Sequence, residues 1–141
     1  MGSERARSAD FQVVPQAAFN AALGVAQAEK KFEVRAVHNE GHALIIRQKT
    51  KAFSWPKVIL LRVHQNGSGS TINVLAQNLP GGPTALLDGI ANGKVADRFL
   101  AGIQGVVAGT TNAPATPVRS HYVRDDGTES PWTDPDELPD F

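Results

Sequence analysis

The densest group of residues able to do chemistry lies between positions 47 and 62. Arg47, Lys49, Lys51, Lys57 and Arg62 occur there with no acid among them, and Phe53 and Trp55 sit in their midst. The alternation of Arg47, Lys49 and Lys51 puts three positive charges on one face of an extended segment. Cations beside aromatic faces attract phosphates and stack on bases, so the chemistry on offer is binding of a single-stranded nucleic acid or another anionic ligand. The plainer reading is that the lysines guard a sheet edge while the aromatics cap a core. A second group closes the chain, where Trp132, Leu138 and Phe141 are large apolar side chains set among acids. Acidic segments with apolar anchors dock on a partner or fold back on their own domain, here onto Arg47, Lys49 and Lys51. Together these eight residues are the expected ligand- or partner-binding set.

Other constellations carry less. His38 and His42 share a strand face if the intervening turn is residues 39–41, and fall on opposite faces if it is residues 40–41. His64 could stand on a neighbouring strand, but no third ligand has fixed spacing, so strand-edge histidines are expected and no metal or cofactor is called for. Ser68 and Ser70 lack the Gly-x-Ser-x-Gly setting of a nucleophile. Residues 89–94 fail as a phosphate loop, because Asp88 stands where the first glycine belongs and Val95 where Ser or Thr belongs. Asp88 and Asn92 read instead as helix N-cap candidates. With no assembled catalytic set, the chain is expected to be non-enzymatic.

Composition sets the outer bounds. The 141 residues fit one domain, and the absence of cysteine removes disulfides, thiol catalysis and thiolate metal sites. No long apolar run or export signature is visible, so no membrane association and a cytoplasmic location are the default expectations. The formal net charge of zero hides a division. Residues 1–109 carry twelve Lys and Arg against seven Asp and Glu, whereas residues 110–141 carry two against seven. That basic excess is small for a nucleic-acid binder. Acids and prolines crowd the segment after position 125, so residues 110–141 are expected to be a disordered acidic tail, and residues 1–8 a flexible lead.

Between them, residues 9–109 must position whatever the chain binds. Phe11, Val13 and Val14 form a short strand, and Pro15 suits the first turn of a helix over residues 16–31, whose Phe19, Ala22, Leu23 and Ala26 share one stripe. Phe32, Val34 and Ala36 alternate with Glu33 and Arg35 as a half-buried strand. Two hairpins follow: one turns at residues 39–41 into the run of Leu44, Ile45 and Ile46, the other at residues 66–70 between strands over 58–63 and 71–77. Pro80, Gly81, Gly82 and Pro83 end the meander. A helix over residues 92–108 then carries Val95, Phe99, Ile103, Val106 and Val107 on one stripe, with Gly102, Gly105 and Gly109 marking close approaches or a frayed end. The predicted class is α+β, in the order β-α-β-β-β-β-α, with an antiparallel sheet and two helices packed on one face. The other face is left free to bind.

This order resembles the small TATA-binding-protein-like and helix-grip-like α+β domains over roughly residues 9–109. Asp88, Gly89 and Asn92 ahead of the last helix are similar to a bacterial family of unknown function, although its Ser-Arg pair is missing around Asn78 and Leu79. Glu137, Leu138, Pro139, Asp140 and Phe141 resemble the acidic tails with which bacterial single-stranded-DNA-binding proteins recruit partners, Asp140 being a departure. Two functions follow as expectations. The first is a binding or interaction module whose acidic tail docks on the body or on a protein partner. The alternative, implied by the helix-grip likeness, is a domain that binds or processes a small apolar ligand between the sheet and the last helix. Its walls would be Phe32, Val34, Leu60 and Phe99, with His38, His64 or Asp88 as polar groups.

Overall fold

The computed structural model describes residues 4–48, 57–78 and 88–139. Seven antiparallel strands form one sheet in the order β1-β5-β4-β3-β2-β6-β7. They are β1 (Arg5–Phe11), β2 (Phe32–His38), β3 (Ala43–Gln48), β4 (Lys57–Asn66), β5 (Gly69–Asn78), β6 (His121–Val123) and β7 (Glu129–Ser130). Helix α1 (Pro15–Ala28) carries the chain from β1 at one edge to β2, and α2 (Asp88–Val107) lies beside it on the same face.

Pro15 opens α1 after an extended Val14, as its fixed φ favours. The buried stripe of Ala18, Phe19, Ala22, Leu23 and Ala26 faces the sheet. Phe99 and Ile103 supply the matching stripe of α2, and Leu44, Ile46, Ile59, Leu61, Val63, Ile72 and Val74 rise from the sheet to meet both. Asn92 is fully buried within α2 rather than capping it, because the helix begins at Asp88, a turn earlier than the apolar periodicity implied. Gly102 lies within the body of α2 and faces the side chain of Val25 across the helix pair, so it marks an approach to a side chain rather than to another backbone or a frayed end.

Both chain ends depart from expectation. Residues 5–8 are part of β1 and pair with β5, since the exposed edge of β5 offers them a full ladder. Residues 110–139 are not outside the domain. After α2 the chain runs back along α1, where Gln27 accepts from the Thr116 amide at 2.7 Å and donates to the Thr116 carbonyl at 2.9 Å. The Asn39 side chain then donates to the Val118 carbonyl at 2.8 Å. From there β6 adds to the edge of β2, β7 turns back on β6, and residues 131–139 return across the face of the sheet opposite the helices. Composition marked this stretch as disordered because its own segments are polar. Their partners are distant residues that composition does not register.

Candidate functional site

The face opposite the helices has its own small core. Strand side chains alternate, so the register that sends Leu44, Leu61 and Val74 toward the helices sends the residues between them outward. Outward neighbours Tyr122, Ala36, Ile45, Leu60, Leu75 and Ala6 form one continuous row across six strands. Trp132 lies against Ala36, Ala43, Ile45 and Val58 and is only 6% exposed. Small side chains at positions 36 and 43 leave the hollow that the indole fills.

Several contacts hold the indole and the strap of residues 131–139 in place. The Trp132 Nε1–H is shared between the carbonyls of Asp134 at 2.8 Å and Glu137 at 3.0 Å. His38 meets the indole edge-on at 5.7 Å. Its Nδ1 accepts from the Gly41 amide at 2.8 Å, which leaves Nε2 to donate to the Thr133 carbonyl at 3.1 Å. Pro135 rides over the β2–β3 turn where Gly41 has no side chain; a Cβ there would come within 2.7 Å of the proline ring.

Charge fastens both ends. Asp125 accepts from Arg35 and Arg47, each at 3.0 Å, and Arg35, 11% exposed, also donates to the Val123 carbonyl at 2.9 Å. The Arg47 hydrogen bond, followed by the charges of Arg47 and Arg35, holds the Asp125 carboxyl below its ordinary value. Asp136 pairs with Arg62 on β4 and is lowered likewise, first by that hydrogen bond.

Beyond Trp132 the strap leaves an open groove of about 460 Å³. Its floor is Ala6, Ile45, Leu60 and Leu75, and its wall is Trp132, Pro135 and Leu138. Ser8, Arg62 and Asn73 form its polar side, and the register places them in a row across β1, β5 and β4. A smaller cleft of about 230 Å³ opens on the helix side between α1, α2 and the start of β2. Phe32 and Phe99 touch edge to face at 5.1 Å there, and Glu29 and Arg98 pair at 2.9 Å on its rim. A third hollow of about 370 Å³ over Ala17, Ala21, Val106 and Pro114 has no aromatic wall. Small-molecule sites usually occupy about 300–1,000 Å³ with aromatic lining. Of these three hollows, only the outer-face groove meets both conditions.

Of the expected binding set, the structure brings Trp132 and Leu138 into this groove. Arg47 is on the same face but is bridged to Asp125 rather than presented to water. Lys49, Lys51, Phe53, Trp55 and Phe141 lie outside the described residues. The expected cavity walls divide, because Phe32, Val34 and Phe99 lie in the core between the sheet and the helices while Leu60 faces the groove. His38 and His42 follow neither anticipated turn. His38 pairs with Ala43 across a four-residue turn, and His42 sits in that turn at φ 52° with its ring 5.4 Å from Phe19. Burial lowers the His42 pKa below 6.5. No cluster of three potential metal ligands occurs among the described residues. No described helix is long and apolar enough to cross a membrane.

The sequence reading missed Ala6, Ser8, Ile45, Asn73 and Leu75, and named Leu60 only as a wall of a cavity on the helix side. One signal was available: Val58, Ile59, Leu60 and Leu61 are apolar without alternation, which marks a strand buried on both faces.

No family model and no curated protein matches the chain in sequence. Solved structures do match in shape. The crystal structure of Ara h 8.0201 is similar with a TM-score of 0.58 at 10% identity, over 75% of this chain and 97% of that one. The solution structure of KanY gives a TM-score of 0.48 at 11% identity, over 77% and 99%. Likeness at this identity speaks for fold alone, and the antiparallel sheet gripped by two helices on one face is an α+β helix-grip architecture.

Proposed function

We propose that this domain binds a small apolar molecule in the groove between the outer sheet face and the strap. The observation that carries the reading is an apolar hollow of about 460 Å³ already walled by the fixed indole of Trp132. A preformed aromatic wall spares a ligand the entropy of ordering its own site. The helix-grip fold is compatible with such a role without assigning it. The polar lining suits orientation of a ligand more than proton transfer, since arginine stays charged near neutral pH and no carboxylate or imidazole lines the groove among the described residues. This reading keeps the small-ligand function implied by the helix-grip likeness and moves it to the opposite face of the sheet.

Nile red, an uncharged apolar dye, tests it. Its fluorescence is expected to rise saturably on titration with the protein, and Leu75→Asp is expected to abolish the rise. Amide chemical shifts should move at Ala6, Leu60, Leu75 and Trp132. Shifts that instead gather at Phe32, Phe99 and Thr111 would assign binding to the helix-side cleft and refute the proposal. A protein that is dimeric without dye and becomes monomeric with Leu75→Asp would give the groove to a second copy, which also refutes it.

A further inference from the structure

We infer that the ligand of the outer-face groove is an uncharged amphiphile: an apolar chain or ring bearing one hydrogen-bonding group such as a hydroxyl, ketone or amide. The inference rests on the reading above and adds the chemical class. It follows from two parallel rows of side chains and from the state of Arg62 in the second of them.

The first row, Ile45, Leu60, Leu75 and Ala6, crosses four strands in register. Three inter-strand steps of about 4.8 Å give an apolar track of about 14 Å. The second row, Arg62, Asn73 and Ser8, lies two residues along the same strands and therefore about 7 Å away on the same face. A molecule lying along the first row brings a polar end to the second with no rearrangement of the sheet.

The charges in the second row are already balanced. Arg62 donates through Nε to the Gly41 carbonyl at 3.1 Å and through Nη1 to Asp136. A ligand carboxylate would have to displace Asp136, and would do so beside Asp134 and Glu137, which are exposed on the same strap. It would also lose water over an apolar floor without gaining a new counterion. An ammonium group would lie against the Arg62 guanidinium. Asn73 and Ser8 meet an uncharged group without either cost, because the amide supplies both donor and acceptor and the hydroxyl either one. Both are exposed at the groove's polar side and neither is drawn into the ion pairs.

The test compares n-octanol, octanoate and n-octylammonium at pH 7, read by amide shifts of Asn73 and Leu75 in the full chain. Octanol is expected to bind at least tenfold more tightly than either ion. The double variant Asn73→Ala with Ser8→Ala should weaken octanol by roughly two- to tenfold, as loss of one net hydrogen bond does. Octanoate binding as tightly as octanol, or more so, would overturn the inference and make Arg62 the anchor; Asp136→Asn would then strengthen octanoate further. If Nile red binds in the groove and the three chain probes do not differ, the inference fails while the apolar site stands. If no probe binds, both fail.

Discussion

Replacing Trp132 by alanine probes whether residues 131–139 belong to the folded body. A tryptophan removes about 150–250 Å² from water when buried, worth about 4–6 kcal/mol at ~25 cal/mol per Å². An extended-chain reference makes that an upper bound, and truncation of buried aromatics usually costs about 3–5 kcal/mol. The carbonyls of Asp134 and Glu137 that share the indole N–H lie on exposed residues, so they return to water with little added penalty. Ala36, Ala43 and Ile45 lose their cover and leave an apolar depression in its place. The expected loss is therefore about 3 kcal/mol, seen as a fall in Tm on the order of 10 °C and a lower urea midpoint at nearly constant slope. Hydrogen exchange should quicken across β6, β7 and the strap, and much less in β4. A second readout uses Trp55→Phe, which leaves Trp132 as the only tryptophan. Its emission should be blue-shifted and shielded from acrylamide. Unchanged stability, within about 0.5 kcal/mol, together with solvent-like emission from Trp132 would refute the packing argument.

Acid should act in two stages. The folded pKa of His42 lies below 6.5 because burial disfavours its charged form, so its stabilising contribution is present above 6.5 and is lost as pH falls through the folded value. His42→Asn, which tolerates the same left-handed turn, should flatten the dependence of the urea midpoint on pH over that range. Asp125 and Asp136 are also lowered, from 3.8, so their contributions are complete above 3.8 and disappear only on further acidification. Acrylamide access to Trp132 should rise in that second window, and Arg47→Gln or Arg62→Gln should move the rise to higher pH; a strap that opens already near neutrality would contradict this. Gly24→Ala would ordinarily strengthen a helix by about 1 kcal/mol. Here its Cβ would run into the Ala113 carbonyl, so a net loss of about 1–3 kcal/mol is expected by urea denaturation, and a gain would show that the segment after α2 does not lie on α1.

What the amino-acid sequence determined by itself was local. Spacing of Phe19, Ala22, Leu23 and Ala26 was enough for α1, and Asn66, Gly67 and Ser68 were enough for the second hairpin, because periodicity and turn chemistry involve near neighbours. The α+β class and the placing of both helices on one face followed from those stripes needing a single apolar surface. Trp132 and Leu138 stood out because large apolar groups are rare among acids. Tertiary structure alone decided where they go. The register of four strands aligns Ile45, Leu60, Leu75 and Ala6 from distant parts of the chain, and no local pattern encodes that alignment. The same holds for residues 110–139, whose acids made them look solvent-bound. Arg35, Arg47 and Arg62 are 74 to 90 positions away from the acids they hold, in the pairs Arg35–Asp125, Arg47–Asp125 and Arg62–Asp136. Charge composition counts such residues separately, and only folding brings them within reach, so a segment that is polar on its own becomes the wall of a groove.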